Sequence, residues 1–142
     1  MSFDGQLMYV KNIISNTYDA LSQSWIEATS YKISPSQRLD TSESKRSING
    51  VLHRNVMSHE PSKIEFNLVP MNDTGITAFN TFMKNHYTVS KKREFVLKYW
   101  NVEVGDYLTG TFYMPNPQYQ INMIGKNNVI KYDKTRIAFI EN

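Results

Sequence analysis

A mainly β (α+β) domain, antiparallel and carrying one packed helix, is what the sequence predicts, and three observations support it. Residues 63–69 alternate cleanly, with Ile64, Phe66 and Leu68 on one face and Lys63, Glu65 and Asn67 on the other, the period of a half-buried strand. After Lys91-Lys92, strand-like runs follow one another between turns built on Gly, Pro and Asn. Between these regions Ile76, Phe79, Phe82 and Met83 recur at helical spacing, an apolar stripe for a helix over about residues 72–85. The architecture expected is a β-sandwich or strongly bent antiparallel sheet with that helix packed on one side.

The bulk properties set the frame. At 142 residues the chain is the size of one domain, so 1–142 reads as a single unit. It is 40% hydrophobic and 20% charged, with nine Tyr and seven Phe. Tyr joins an apolar face to a polar tip, which suits half-exposed sheets and contact surfaces. The net charge of +3 is not gathered into one stripe. Lys45, Arg46 and Arg54 fall in one polar region and Lys91, Lys92 and Arg93 in another, with Glu43, Glu60 and Glu94 close by. Solvated or inter-subunit surface fits that mixture better than a phosphate-binding site. The absence of cysteine excludes disulfides, thiolate metal sites and cysteine nucleophiles. Met1 to Gln6 lacks the basic start and apolar stretch of a signal peptide. No apolar run approaches the roughly 18–20 residues that cross a bilayer, so a soluble protein is expected, retained in the cell or leaving it within a particle.

Taken in order, residues 6–15 alternate imperfectly, Leu7, Tyr9 and Ile13 against Met8, Val10 and Ile14, and read as a strand. Tyr18, Leu21, Trp25 and Ala28 lie at steps of three and four, which leaves a short helix or an ordered loop open. Tyr31 to Asp40 reads as a strand with Tyr31 and Ile33 on one face, and Pro35 places it at an edge or bend. Residues 41–62 turn polar around Asn49-Gly50, the strongest short hairpin signal. A hairpin arm and a plain surface loop both fit that stretch. Pro70 ends the strand of residues 63–69, and Asn72 or Asp73 can cap the helix. Glu94 to Trp100 and Tyr107 to Met114 form two strands joined through Val104-Gly105-Asp106. Pro115 and Pro117 break the ladder, Tyr119, Ile121 and Met123 mark a third strand, and Gly125 to Asn128 a polar turn. Thr135 to Glu141 closes the chain with Ile137 and Phe139 inward.

A search for chemistry returns nothing. His53 and His59 are six apart, which fits neither helical nor finger metal spacing, and with His86 they read as surface or interface histidines. There is no Gly-x-Ser-x-Gly elbow, phosphate-cradling glycine loop or paired carboxylate on one face. Neither an enzyme activity nor a cofactor or metal is expected. The alternative is a binding module. Tyr99, Trp100, Tyr107, Phe112 and Tyr113 lie on adjacent strands near Lys91, Lys92 and Arg93, and such a sheet could stack single-stranded nucleic acid. Against it, Phe95, Tyr99 and Phe112 are wanted by the core.

The order of segments is itself informative. Ser30-Tyr31-Lys32-Ile33-Ser34, the polar passage to Arg46-Ser47-Ile48-Asn49-Gly50, then Arg54-Asn55-Val56 and Lys63-Ile64-Glu65-Phe66 resemble a family of small uncharacterised phage and prophage proteins. The later run Thr109-Gly110-Thr111-Phe112-Tyr113-Met114-Pro115 and the strand Ile137-Ala138-Phe139-Ile140-Glu141 are similar to it as well. The likeness runs from Tyr31 to the C-terminus, and residues 1–30 stand as a variable N-terminal segment. Members usually lie among the tail genes of Gram-positive phages. The resemblance implies a virion structural protein of a bacteriophage tail, in the tube, the distal tail and baseplate adaptor, or the tail-completion end. By analogy it implies a tail-tube-like sandwich and a ring of copies, most simply six, touching other tail proteins. Such a ring would let DNA pass without sequence-specific binding, with no membrane or small-molecule partner. The protein would be made in the host bacterial cytoplasm and reside in the virion tail. The module alternative would instead bind nucleic acid or a host protein. The arm, residues 44–57, is expected to reach a neighbouring subunit through Lys45, Arg46, Ile48, Asn49, Gly50, Val51, Leu52 and Arg54.

Overall fold

A computed structural model describes residues 3–38, 45–46, 52–53 and 60–142. Strands β1 (Met8–Asn12), β2 (Thr17–Ala20) and β3 (Lys32–Ser34) come from the N-terminal third. Two-residue strands β4 (Lys45–Arg46) and β5 (Leu52–His53) follow, then β6 (Lys63–Leu68) and β7 (Met71–Asn72). After helix α1 (Asp73–His86) come β8 (Glu94–Asn101), β9 (Asp106–Tyr113), β10 (Ile121–Ile124), β11 (Ile130–Tyr132) and β12 (Thr135–Glu141). The main sheet is antiparallel, in the order β2-β1-β8-β9-β12-β6-β3. The predicted class holds: mostly β, antiparallel, with one α-helix among the described residues.

The sheet bends where it is weakest. β9 and β12 pair only at Tyr113–Ile140 and Phe112–Glu141, so the two wings on either side fold toward each other over a common core. Met8 and Val10 of β1, Phe95 and Leu97 of β8, Phe112 of β9, Ile64, Phe66 and Leu68 of β6, and Ile137 and Phe139 of β12 are all buried. Each such large apolar side chain contributes about 1.5–3 kcal/mol by leaving water. The wings are also joined by a buried polar seam. The hydroxyls of Ser62 and Tyr99 lie 2.8 Å apart, and the Ser36 N–H donates to Ser62 Oγ at 2.9 Å. The Asn101 amide donates to Ser36 Oγ at 3.1 Å. Each of these buried groups is thereby hydrogen-bonded.

Helix α1 starts where the sequence says it should. Asn72 Oδ1 accepts the Gly75 N–H at 3.1 Å, and Ile76, Phe79 and Met83 are buried, with Phe82 packed at the margin. Trp25 lies over this stripe, 5.6 Å from Phe79 and 5.7 Å from Phe82 between ring centroids. Replacing Asn72 by Ala removes the cap and should cost about 1 kcal/mol in a urea unfolding experiment, with helical circular dichroism retained.

Three expectations need correction. Residues 17–28 do not form the short helix; an edge strand precedes an ordered, turn-rich loop. They form edge strand β2 and two short 3₁₀ turns, Gln23–Trp25 and Ala28–Ser30. Asn12 Oδ1 accepts from the backbone N–H groups of Ile14 and Ser15, and Asn16 takes a left-handed φ of 56°. Those side-chain bonds turn the chain back onto β1. The strand at Tyr119 to Met123 is real but outside the main sheet. β10 belongs to a separate three-stranded sheet, β10-β11-β7. The strand expected over residues 31–40 is cut short: β3 ends at Ser34, a turn follows at Pro35 and Ser36, where Ser36 takes a left-handed φ of 47°, and β3 is the last strand of the main sheet among the described residues.

Candidate assembly surfaces

The predicted arm is partly visible. β4 and β5 pair antiparallel, Lys45 opposite His53 and Arg46 opposite Leu52. A two-residue turn at Asn49-Gly50 would place Arg46 opposite His53 instead, so the register is one residue away from that of a type I′ hairpin. Ile48, Asn49, Gly50, Val51 and Arg54 lie outside the described residues, as do the side chains of Lys45, Arg46 and Leu52.

A second projection was not expected from the sequence. β10 is exposed at all four positions, on both of its faces. Ile121, Met123 and Ile124 are 53%, 50% and 67% exposed, and Tyr119 and Val129 flank them. β10 pairs with β11 on one side, with an irregularity between Ile121 and Met123, and its other edge has no strand partner among the described residues. The hairpin closes with the Gly125 N–H donating to the Val129 carbonyl at 2.7 Å, and Asn127 and Asn128 take left-handed φ values of 62° and 59°. Its base is anchored to the body. β11 pairs with β7, and the Tyr119 hydroxyl donates to Asn80 Oδ1 of α1 at 3.0 Å. The signal lay in the pattern: apolar residues occupy both parities of 121–124, and residues 114–132 contain Lys126 and Lys131 but no carboxylate.

The outer face of the β2-β1-β8-β9 wing is aromatic. Lys98 Nζ lies 5.2, 5.3 and 5.8 Å from the ring centroids of Tyr9, Tyr107 and Tyr18, within cation–π range. Phe3 meets Trp100 edge-on at 5.5 Å. Asp4 accepts from the Tyr107 hydroxyl at 2.5 Å and the Tyr9 hydroxyl at 2.7 Å. These two bonds hold the Asp4 carboxyl below its usual range, and the bond to Asp4 pushes the Tyr9 hydroxyl up to about 12. Asp4 therefore stays ionised and Tyr9 stays a donor throughout the neutral range. Of the five aromatics proposed as a stacking platform, Tyr99 and Phe112 are buried against each other at 5.3 Å. Trp100 and Tyr107 pack edge-to-face at 5.2 Å. The flat array that stacked bases require is not formed by these four rings.

His86 also departs from expectation. It is buried, not a surface or interface group. Its Nδ1 lies 2.6 Å from the Phe82 carbonyl oxygen and its Nε2 2.7 Å from Asp19 Oδ2. Both partners are acceptors, so the ring donates to both only when it carries both protons. Among the described residues no three His, Asp or Glu side chains converge as a metal site, and no helix is long and apolar enough to cross a membrane. The grooves are open and shallow. One of about 730 Å³ is lined by Asn116, Gln118, Tyr119, Gln120, Lys134 and Arg136. A smaller apolar one of about 250 Å³ is lined by Phe3, Gly5, Leu7, Gln23, Ile26 and Ala28.

Comparison with known proteins returns one family and a distant structural likeness. The model of a family of unknown function, DUF6711, matches residues 1–142. No curated protein matches the chain. Among solved structures, the chain is similar to one from the tail of an empty GTA particle with C6 symmetry. The two share 14% identity, with a TM-score of 0.48, over 99% of this chain and 95% of the other.

Proposed function

The chain belongs to the DUF6711 family, and from that premise we propose that it is a structural subunit of a bacteriophage tail, assembling with copies of itself and with neighbouring tail proteins rather than catalysing a reaction. The observation that carries this reading is β10, a strand with Ile121, Met123 and Ile124 exposed and one edge without a strand partner among the described residues. An apolar strand open on both faces and along one edge is a site for pairing with another chain, and monomers ordinarily blunt or cover such edges. Assembly covers it. Among the described residues the main sheet ends at β2 and β3, and closure of subunits into a ring can remove edges by pairing or burial. The phage-protein segments between Tyr31 and the C-terminus supply the tail context. By the same resemblance the ring has six copies, in the tube, the distal adaptor or the completion end, and the protein ends in the virion after synthesis in the host cytoplasm.

The test has two parts. Mass spectrometry of purified particles should find the protein in stoichiometric amounts. Its absence from particles would end the structural reading. Deleting Lys45–Arg54 tests the arm at the same time. The truncated chain should fold, because the described core contains none of those residues, and it should fail to enter particles. Normal incorporation would remove the arm from the assembly contacts while leaving the tail assignment standing.

A further inference from the structure

We propose that the β10–β11 hairpin of one copy docks into the apolar groove formed by Phe3, Leu7, Ile26 and Ala28 of a second copy. This rests on the self-assembly reading and names the two surfaces that meet. The knob and the hole are both on this chain. The hairpin presents Ile121, Met123 and Ile124 to solvent. The groove is mainly apolar, of about 250 Å³, and Phe3 at its rim is 45% exposed. That is room for one or two aliphatic side chains, not for a folded domain.

Charge selects the same pairing. Residues 114–132 carry Lys126 and Lys131 and no carboxylate, whereas the groove lining adjoins Asp4. Asp4 sits beside the groove with its backbone fixed by the Tyr107 hydroxyl. An apolar knob flanked by two lysines therefore meets an apolar hole flanked by the Asp4 carboxylate, while Glu27 is paired with Lys134 and Asp19 with His86 within the subunit; such complementarity sets register and excludes wrong partners. Made head to tail, a contact between two different patches of one chain is heterologous, so repetition closes a ring or extends a filament. A dimer made hairpin against hairpin would instead set Lys126 and Lys131 against their own copies.

The experiment uses the full chain and two variants at exposed positions. Ile121→Asp/Ile124→Asp removes the knob, and Ala28→Arg fills the hole with a bulky cation. Sedimentation velocity should show concentration-dependent association of the wild type. Each variant should weaken it by about 100-fold, the loss expected for two aliphatic side chains held out of an apolar site. Circular dichroism should be unchanged for both. The decisive arm is an equimolar mixture of the two variants. Each supplies the half that the other lacks, so the mixture should stop at a 1:1 dimer. A mixture that stays monomeric overturns the proposal, as does Ala28→Arg associating like wild type. A wild type that remains monomeric at all concentrations also overturns it, and the particle mass spectrometry above would still decide the tail reading separately. Variants that associate only when a second tail protein is added would give the hairpin a different partner and reject the self-contact.

Discussion

Phe139→Ala is expected to lower the unfolding free energy by about 3–5 kcal/mol, the range for truncating a buried phenylalanine in a core that cannot collapse around the cavity. The position explains the size. Phe139 is fully buried, and its ring meets Phe66 at 5.4 Å and Phe95 at 4.9 Å, both near edge-to-face. Phe66 lies on β6, in its own wing, and Phe95 on β8, across the bend. Within the sheet the wings meet at two β9–β12 ladder pairs, extended by the Asn142 N–H bond to the Thr111 carbonyl at 2.9 Å, so this aromatic triplet supplies side-chain packing across a short backbone seam. Against a typical total of about 5–15 kcal/mol, the variant should unfold at a greatly reduced urea concentration. Phe139→Leu keeps most of the volume and should cost about half as much or less. Equal losses for Ala and Leu would mean that ring geometry, not filled volume, is what matters there. A loss under about 1 kcal/mol for Ala, well below the range for such truncations, would show that the wings are held elsewhere.

The elements legible in the sequence are those whose burial follows their own periodicity. β6 and β8 alternate strictly between buried and half-buried, because one face meets the core, so Ile64, Phe66 and Leu68 declare themselves. The helix is legible for the same reason, with a cap and a stripe in one local stretch. β2 was hidden because it is an edge strand with exposed residues, and its neighbours Leu21 and Trp25 point inward through turns rather than through any repeat. Their three-and-four spacing copied a helix by coincidence. β11 was hidden by its length of three residues. The candidate surfaces divide in the same way. The Asn49-Gly50 arm was conspicuous because turn chemistry is local. The β10 knob was read as an ordinary strand, since nothing in Tyr119, Ile121 and Met123 says that no second layer covers them. That fact is set by β7 and β11, which draw the hairpin off the main sheet. Lys98 illustrates the same limit from the other side. Its three tyrosines come from β1, β2 and β9, and only long-range pairing brings them together.

His86 was misread for that reason, and it supports the second large effect. His86→Ala should destabilise the chain by about 2–3 kcal/mol, the scale for losing hydrogen bonds to a charged partner together with buried packing. Three contacts disappear at once: the stack on Phe82 at 4.2 Å and the close approaches of the two ring nitrogens to the Phe82 carbonyl and to Asp19, 67 residues away on β2, at least one of them a donated hydrogen bond. The reverse substitution should matter less. The Asp19 side chain is 42% exposed while that of His86 is 7% exposed, so water can replace a partner for Asp19 but not for the buried ring nitrogen. Asp19→Asn keeps an acceptor at the same place and should cost under about 1 kcal/mol. A double-mutant cycle between the two positions isolates their coupling from the packing loss, and equal costs for the two single variants would show that the pair, not the burial of the ring, sets the energy. Loss of the imidazole should also show locally. β2 is held to the body by its pairing with β1 and by this contact to the end of α1. Amide exchange in His86→Ala should therefore rise first at Thr17–Ala20, while β6 and β12 stay protected. Uniform exchange across the sheet would instead mean that β2 and the helix end unfold only with the whole domain.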